Sequence, residues 1–216
     1  MENIQEKIER VAQFAKDQLE TDKTGHDFSH IQRVADWSQK ILETEPKADP
    51  LTTMVAAYLH DTYDDKLFDD VDAQKRKAAD LLDELEIPSE PIFYIIDNMS
   101  WSKQQYGDAR PLDINGQIVQ DADRLEAVGV IAAIRAFIYG SAHGRKMYDP
   151  EVEAIVPTSK EEYRTHDEST VNHFYTKLFR VKDYMNTELA KKIAEERNEA
   201  MHAFLDQFLN EWNMNK

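Results

Sequence analysis

At 216 residues, 41% hydrophobic and 10% aromatic, the chain is long enough to bury a substantial core and too apolar to stay disordered. Its formal charge of −16 argues against a nucleic-acid groove, which needs clustered Lys and Arg to neutralise phosphates. The absence of cysteine excludes disulfides, thiolate metal sites and a Cys nucleophile, and it fits a reducing cytoplasm.

The N-terminal MENIQEKIERVAQF is charged throughout and lacks the apolar region of a signal peptide. No apolar run approaches the ~20 residues of a membrane span, so a cytoplasmic location and no membrane partner are expected. Ile4, Ile8, Val11, Ala15 and Leu19 recur at helical spacing, predicting an amphipathic helix that stops near Gly25. Ile31, Val34, Trp37, Ser38, Ile41 and Leu42 predict a second, closed by EPKADP. LTTMVAAYLHD is apolar on every side and predicts a buried helix. Two further helices are expected over about 73–86 and 90–101, separated by IPSEP. Residues 113–139 read as one long helix, with cap candidates at Asp113–Asn115 and Gly116. YGSAHGRKMYDPEVEAIVPTS has weak periodicity and predicts a long loop, a frequent home of function. The end, 168–214, predicts two helices with Leu189, Ile193, Met201, Phe204, Leu205, Phe208 and Trp212 on one face. An all-α, single-domain helical bundle over 1–216 is expected, with a long loop at 140–167 and C-terminal helices at 168–214.

Within that frame the polar residues of GHDFSHIQRVADW, AAYLHDTYDDK and IVQDADRLEAVG offer two imidazoles and two carboxylates. Such a set suits one borderline-to-hard divalent ion: Mn²⁺ is favoured, and Mg²⁺, Fe²⁺, Co²⁺ and Ni²⁺ are compatible. His-Asp occurs three times, at His26, His60 and His166, where chance alone gives about one, so context must choose among them. His60 and Asp61 close the most apolar helix, where two buried polar groups are costly unless paired or metal-bound. Beyond them, Asp64 and Asp65 can orient or deprotonate a water, and Lys66 can hold a phosphate as a point charge. His26 and His30 stand one turn apart; His30 is the candidate ligand and His26 a residue of the substrate pocket. A fourth ligand must come from QDADRLEAVG, where Asp121 and Asp123 point in nearly opposite directions on a helix, so only one is expected to serve.

The order His, His-Asp, Asp on helices resembles the HD superfamily of metal-dependent phosphohydrolases, and within it the small bacterial YpgQ-type nucleotide pyrophosphohydrolases. The likeness runs essentially the full length, from GHDFSHIQRV to NHFYTKLFRVKDYMNTELAKKIAEER. It places the metal core at about 20–140 and implies metal ligands His30, His60, Asp61 and Asp123, the last from an ADRL-like stretch that leaves Asp121 aside. HDTYDDK also resembles the HDTxED run of HD hydrolases that release pyrophosphate from alarmones, with Asp64-Asp65 where those have Glu-Asp.

The resemblance implies hydrolysis of a (deoxy)nucleoside triphosphate to the monophosphate and pyrophosphate, with catalytic Asp64 and Asp65; Lys66, His26 and Lys177 are the candidates to bind the substrate. Lys103, Lys182 and Arg197 are further candidates to frame a triphosphate. The expected partner is a phosphorylated small molecule, the expected assembly a monomer or homodimer. Rival readings are a nucleoside monophosphate phosphatase or other small phosphoester hydrolase on the same metal site, a non-catalytic nucleotide- or metal-binding regulator, and an acidic helical interaction protein.

Overall fold

A computed structural model describes residues 3–19, 27–65, 67–159, 161–162 and 168–215. Among the described residues there are helices and turns but no strand, as the periodicity predicts. No single helix among them is long and apolar enough to cross a membrane. The contacts divide the chain into two compact units, Met1–Ala122 and Asp123–Lys216.

The first unit contains α1 (Ile4–Leu19), α2 (Phe28–Leu42), α3 (Pro50–Leu59), α4 (Val71–Glu84), α5 (Ser89–Met99) and α6 (Trp101–Tyr106). It also holds most of α7 (Ile114–Leu125). α1 buries Val11, Ala15 and Leu19, while Ile4 is exposed; the predicted stop near Gly25 lies outside the described residues. The EPKADP turn ends in Asp49, whose carboxylate accepts from Thr52 N–H at 2.8 Å and caps α3, with Pro50 in the first helical turn. α3 packs against α1, α2 and α5, and seven consecutive residues, Thr53 to Leu59, are buried. This is the helix that the sequence shows as apolar on every side. α4 and α5 start one or two residues earlier than expected. α5 ends at Met99, where Ser100 takes extended backbone and caps the separate α6 by accepting from Lys103 N–H at 3.3 Å. Buried Gln120 donates to the Met99 carbonyl at 2.8 Å and ties α7 to the end of α5.

The expected single helix over 113–139 is two. Asp113 caps the first, accepting from Gly116 N–H at 2.9 Å. The chain then turns after Leu125 and restarts at Gly129 as α8 (Val130–Ala142). Gly129 has φ of 105°, a left-handed value that a Cβ disfavours, and a Cβ there would stand 3.2 Å from Arg197. Arg197 also donates to the Leu125 carbonyl, satisfying the α7 end, so the break is built from residues far apart in sequence. Apolar residues continue through it, at Leu125, Val128 and Ala132, which is why periodicity alone misses it.

In the second unit α8 packs against α9 (Thr170–Thr176) and α10 (Glu188–Trp212). The expected pair of C-terminal helices is three pieces, because a 3₁₀ segment, Leu178–Tyr184, intervenes. Phe137 lies 5.7 to 6.4 Å from Phe174, Phe204 and Phe208, forming the aromatic centre of this unit. Trp212 stacks on Phe208 but remains exposed. Buried Glu168 accepts from His173 at 2.7 Å and Thr176 at 2.9 Å, with Arg145 at 3.6 Å. Burial pushes the Glu168 carboxyl up, but these hydrogen bonds and the cation outweigh it and hold it below the usual range.

Candidate metal centre

Two helix termini in the first unit bring the donors together. Asp27 is the N-cap of α2: its carboxylate accepts from Ser29 Oγ at 2.6 Å and from His30 N–H at 3.2 Å. Burial pushes the Asp27 carboxyl up, yet these bonds and the Arg33 charge prevail and hold it low, so the cap stays ionised. The first turn thereby aims His30 inward, and only 1% of it is exposed. α3 ends at Leu59, with His60 as C-cap and Asp61 in the following turn. That turn is closed by Thr62, whose N–H and hydroxyl both donate to the Leu59 carbonyl, at 3.0 and 2.8 Å.

His60 Nδ1 lies 2.8 Å from the Ala57 carbonyl. A carbonyl only accepts, so Nδ1 carries a proton, and in the neutral ring the lone pair falls on Nε2. Asp61 Oδ2 stands 3.4 Å from His60 Nε2 and 3.6 Å from His30 Nε2. The imidazoles meet edge to face, with ring centres 5.4 Å apart. One ligand atom from each of the three residues lies within 4.8 Å of the others, all in buried side chains. Such separations exceed a hydrogen bond, whereas ligands sharing one ion at ~2.1 Å stand about 3 to 3.5 Å apart. Two nitrogens and one oxygen therefore fit a borderline-to-hard divalent cation, with coordination positions left for other oxygens.

The remaining predicted residues fall as follows. Asp64 is half-buried and Asp65 exposed; the Asp64 carbonyl accepts from Leu67 and Phe68 N–H at 3.0 and 3.1 Å. Asp121 is fully buried in the first unit, and Asp123 is half-buried at the start of the second. Lys177, half-buried, follows α9 in the second unit. Of the other basic candidates, Lys182 bonds Glu195 at 2.8 Å, Lys103 approaches Asp108 at 3.9 Å, and Arg197 closes the α7 end. Lys66 and His26 lie outside the described residues, as does His166-Asp167. Sequence reasoning missed the Asp27 cap, although a polar residue just ahead of an amphipathic run is its signal. It also missed Tyr63, whose hydroxyl donates to Asp97 at 3.2 Å. Burial, then the Asp97 carboxylate, pushes this phenol far above its ordinary range, so it acts as a donor.

Residues 27–128 match the HD-domain family model, a span containing His30, His60, Asp61 and Asp123. The chain belongs to the HD superfamily, the class of metal-dependent phosphohydrolases. It is 35% identical over 202 residues to the uncharacterized protein YpgQ of Bacillus subtilis (strain 168), covering 92% of this chain and 90% of that one. A YpgQ structure in complex with ADP superposes with a TM-score of 0.76 at 33% identity, covering 96% and 95% of the two chains. A Lactobacillus plantarum protein matches over 100% of both chains with a TM-score of 0.88 and 35% identity. An HD-superfamily hydrolase from Bacillus thuringiensis is 40% identical with a TM-score of 0.73, over 98% and 99%.

Proposed function

We propose that this chain, acting as one HD-type domain, hydrolyses (deoxy)nucleoside triphosphates to the monophosphate and pyrophosphate with one divalent ion, Mn²⁺ favoured. The observation that carries the reading is the buried convergence of His30, His60 and Asp61. The YpgQ complex with ADP supports a nucleotide-type substrate. On this reading His30, His60, Asp61 and Asp123 hold the ion. When bound, it supplies Lewis-acid polarisation of a phosphoryl oxygen and acidifies water.

The protein's own groups do the rest. Asp64 and Asp65, carried by the turn that follows Asp61, orient a water and accept its proton. The water oxygen bonds to the α-phosphorus, the bond to the bridging oxygen breaks, and pyrophosphate leaves. Lys66, His26 and Lys177 neutralise charge on the phosphates, which matters in a chain of formal charge −16. The deciding experiment is a nucleotide panel with Mn²⁺ and Mg²⁺ in ¹⁸O-water. The expected result is label in the monophosphate and unlabelled pyrophosphate. Stepwise orthophosphate release would instead identify a phosphatase, and no turnover of any nucleotide would remove the nucleotide-hydrolase reading.

A further inference from the structure

The turn carrying Asp61 and Asp64 is held from two sides. Upstream it hangs from α3 through the Leu59 carbonyl. Downstream the hold is made by a side chain between the two carboxylates, Tyr63, which is only 6% exposed. Its hydroxyl donates to Asp97 Oδ1 on α5 at 3.2 Å. Asp97 Oδ2 accepts from Lys75 Nζ on α4 at 2.6 Å. The same ammonium lies 5.1 Å from the centre of the Tyr63 ring and 4.9 Å from that of Phe93, and the two rings meet edge to face at 5.8 Å. A phenol, a carboxylate and an ammonium thus form one chain of contacts from α4 through α5 to the turn.

We infer that Lys75, Asp97 and Tyr63 are positioning residues that set the placement of Asp61 and Asp64. A lone tyrosine on the core would locate the turn through packing alone, which tolerates sliding along the ring plane. Anchoring its hydroxyl removes that freedom, because a hydrogen bond is directional and the acceptor is itself fixed by a charge-assisted bond. Lys75 above both rings opposes tilting of the phenol. Asp61 lies two residues before Tyr63 and Asp64 one residue after it, so any shift of the Tyr63 backbone is passed to both. Catalytic groups misplaced by ~1 Å lose rate on the order of a hundredfold.

The kinetic part rests on the hydrolase reading above; a metal-binding part does not. Tyr63→Phe, Asp97→Ala and the double variant are compared by calorimetry with Mn²⁺ alone and by steady-state hydrolysis at 25 °C, well below the melting transition. Thermal scans establish that each variant is folded. Each single change is expected to weaken Mn²⁺ binding severalfold and to lower kcat by about ten- to a hundredfold, with KM little changed. The double variant should be no worse than Asp97→Ala, because both changes break the same link. Lys75→Arg should keep most of the activity, and Lys75→Met should resemble Asp97→Ala. Losses that multiply in the double variant would overturn the inference. So would wild-type Mn²⁺ affinity and kcat in every variant, or an effect confined to melting temperature. If the unaltered protein hydrolyses no nucleotide, the nucleotide-hydrolase reading fails and the Mn²⁺ data alone decide: non-additive weakening upholds the positioning role, and unchanged affinity refutes it.

Discussion

The proton on His60 Nδ1 is set by a backbone carbonyl, Ala57, rather than by a side chain that could ionise. The placing of the neutral ring's lone pair on Nε2 is therefore a property of the α3 end itself. His60→Ala should cost Mn²⁺ affinity by at least about a hundredfold and abolish turnover, read by calorimetry and product release. Asp64→Asn and Asp65→Asn keep size and polarity but delete the base. At whichever of them accepts the water proton, kcat should fall ~10²–10⁴ while Mn²⁺ binding survives. Asp123→Asn should weaken metal binding as His60→Ala does, and Asp121→Asn should be milder. Metal loss confined to Asp121→Asn would move the fourth ligand to that fully buried carboxylate. At this scale His60 and Asp61 were legible because polar residues at the end of an apolar helix demand a reason. Tyr63 was not, because its partner Asp97 lies 34 residues on and no local pattern joins them.

Helices were legible wherever one face is apolar and the other charged. Their ends were legible where a capping residue announces them, as Asp49 does for α3 and Asp113 for α7. The turn between α7 and α8 escaped because hydrophobic spacing continues through it and its stabilising cap arrives from Arg197, 72 residues from Leu125. Gly129 was its one local sign. Replacing Gly129 with Ala forces a Cβ into left-handed backbone and to 3.2 Å from the Arg197 side chain. A loss of about 1–2 kcal/mol is expected. In a chain of this size that amounts to a fall of roughly 2–8 °C in Tm, measurable by thermal scan. A Tm unchanged by Gly129→Ala would mean that the turn relaxes freely.

Across the whole molecule the family and its all-helical character could be read from the order of a few polar residues along an otherwise ordinary helical pattern. The two-unit division could not, since the boundary falls inside α7, where composition does not change. Acid stability is also a property of the whole, and Glu168 gives it a sign. Its folded carboxyl lies below the ordinary 4.5, so its contribution is complete above that value and is lost as pH falls through the lowered one. Burial, the main cause, pushes the partner His173 below its ordinary 6.5 and keeps the ring neutral in the fold. An unfolded histidine binds its proton first, so stability already declines as pH drops below 6.5. Tm should therefore fall in two stages on acidification. Glu168→Gln should flatten the stage below pH 4.5 and leave the earlier one in place; an unchanged acid limb would mean that other carboxylates set it.

The seven buried residues of α3 also decide how the metal site behaves when empty. Backbone amides enclosed on that many sides exchange with solvent only when the surrounding unit opens as a whole. His60 and Asp61 continue directly from this segment, so gathering them costs nothing beyond folding that has already occurred. Metal uptake should then leave the far-ultraviolet circular dichroism and the denaturant m-value unchanged, raising Tm only by mass action. Deuterium incorporation over 53–59 should be slow with or without Mn²⁺. Fast exchange there in the metal-free protein, slowed on loading, would show that the ion helps to build the helix end rather than docking onto a finished one.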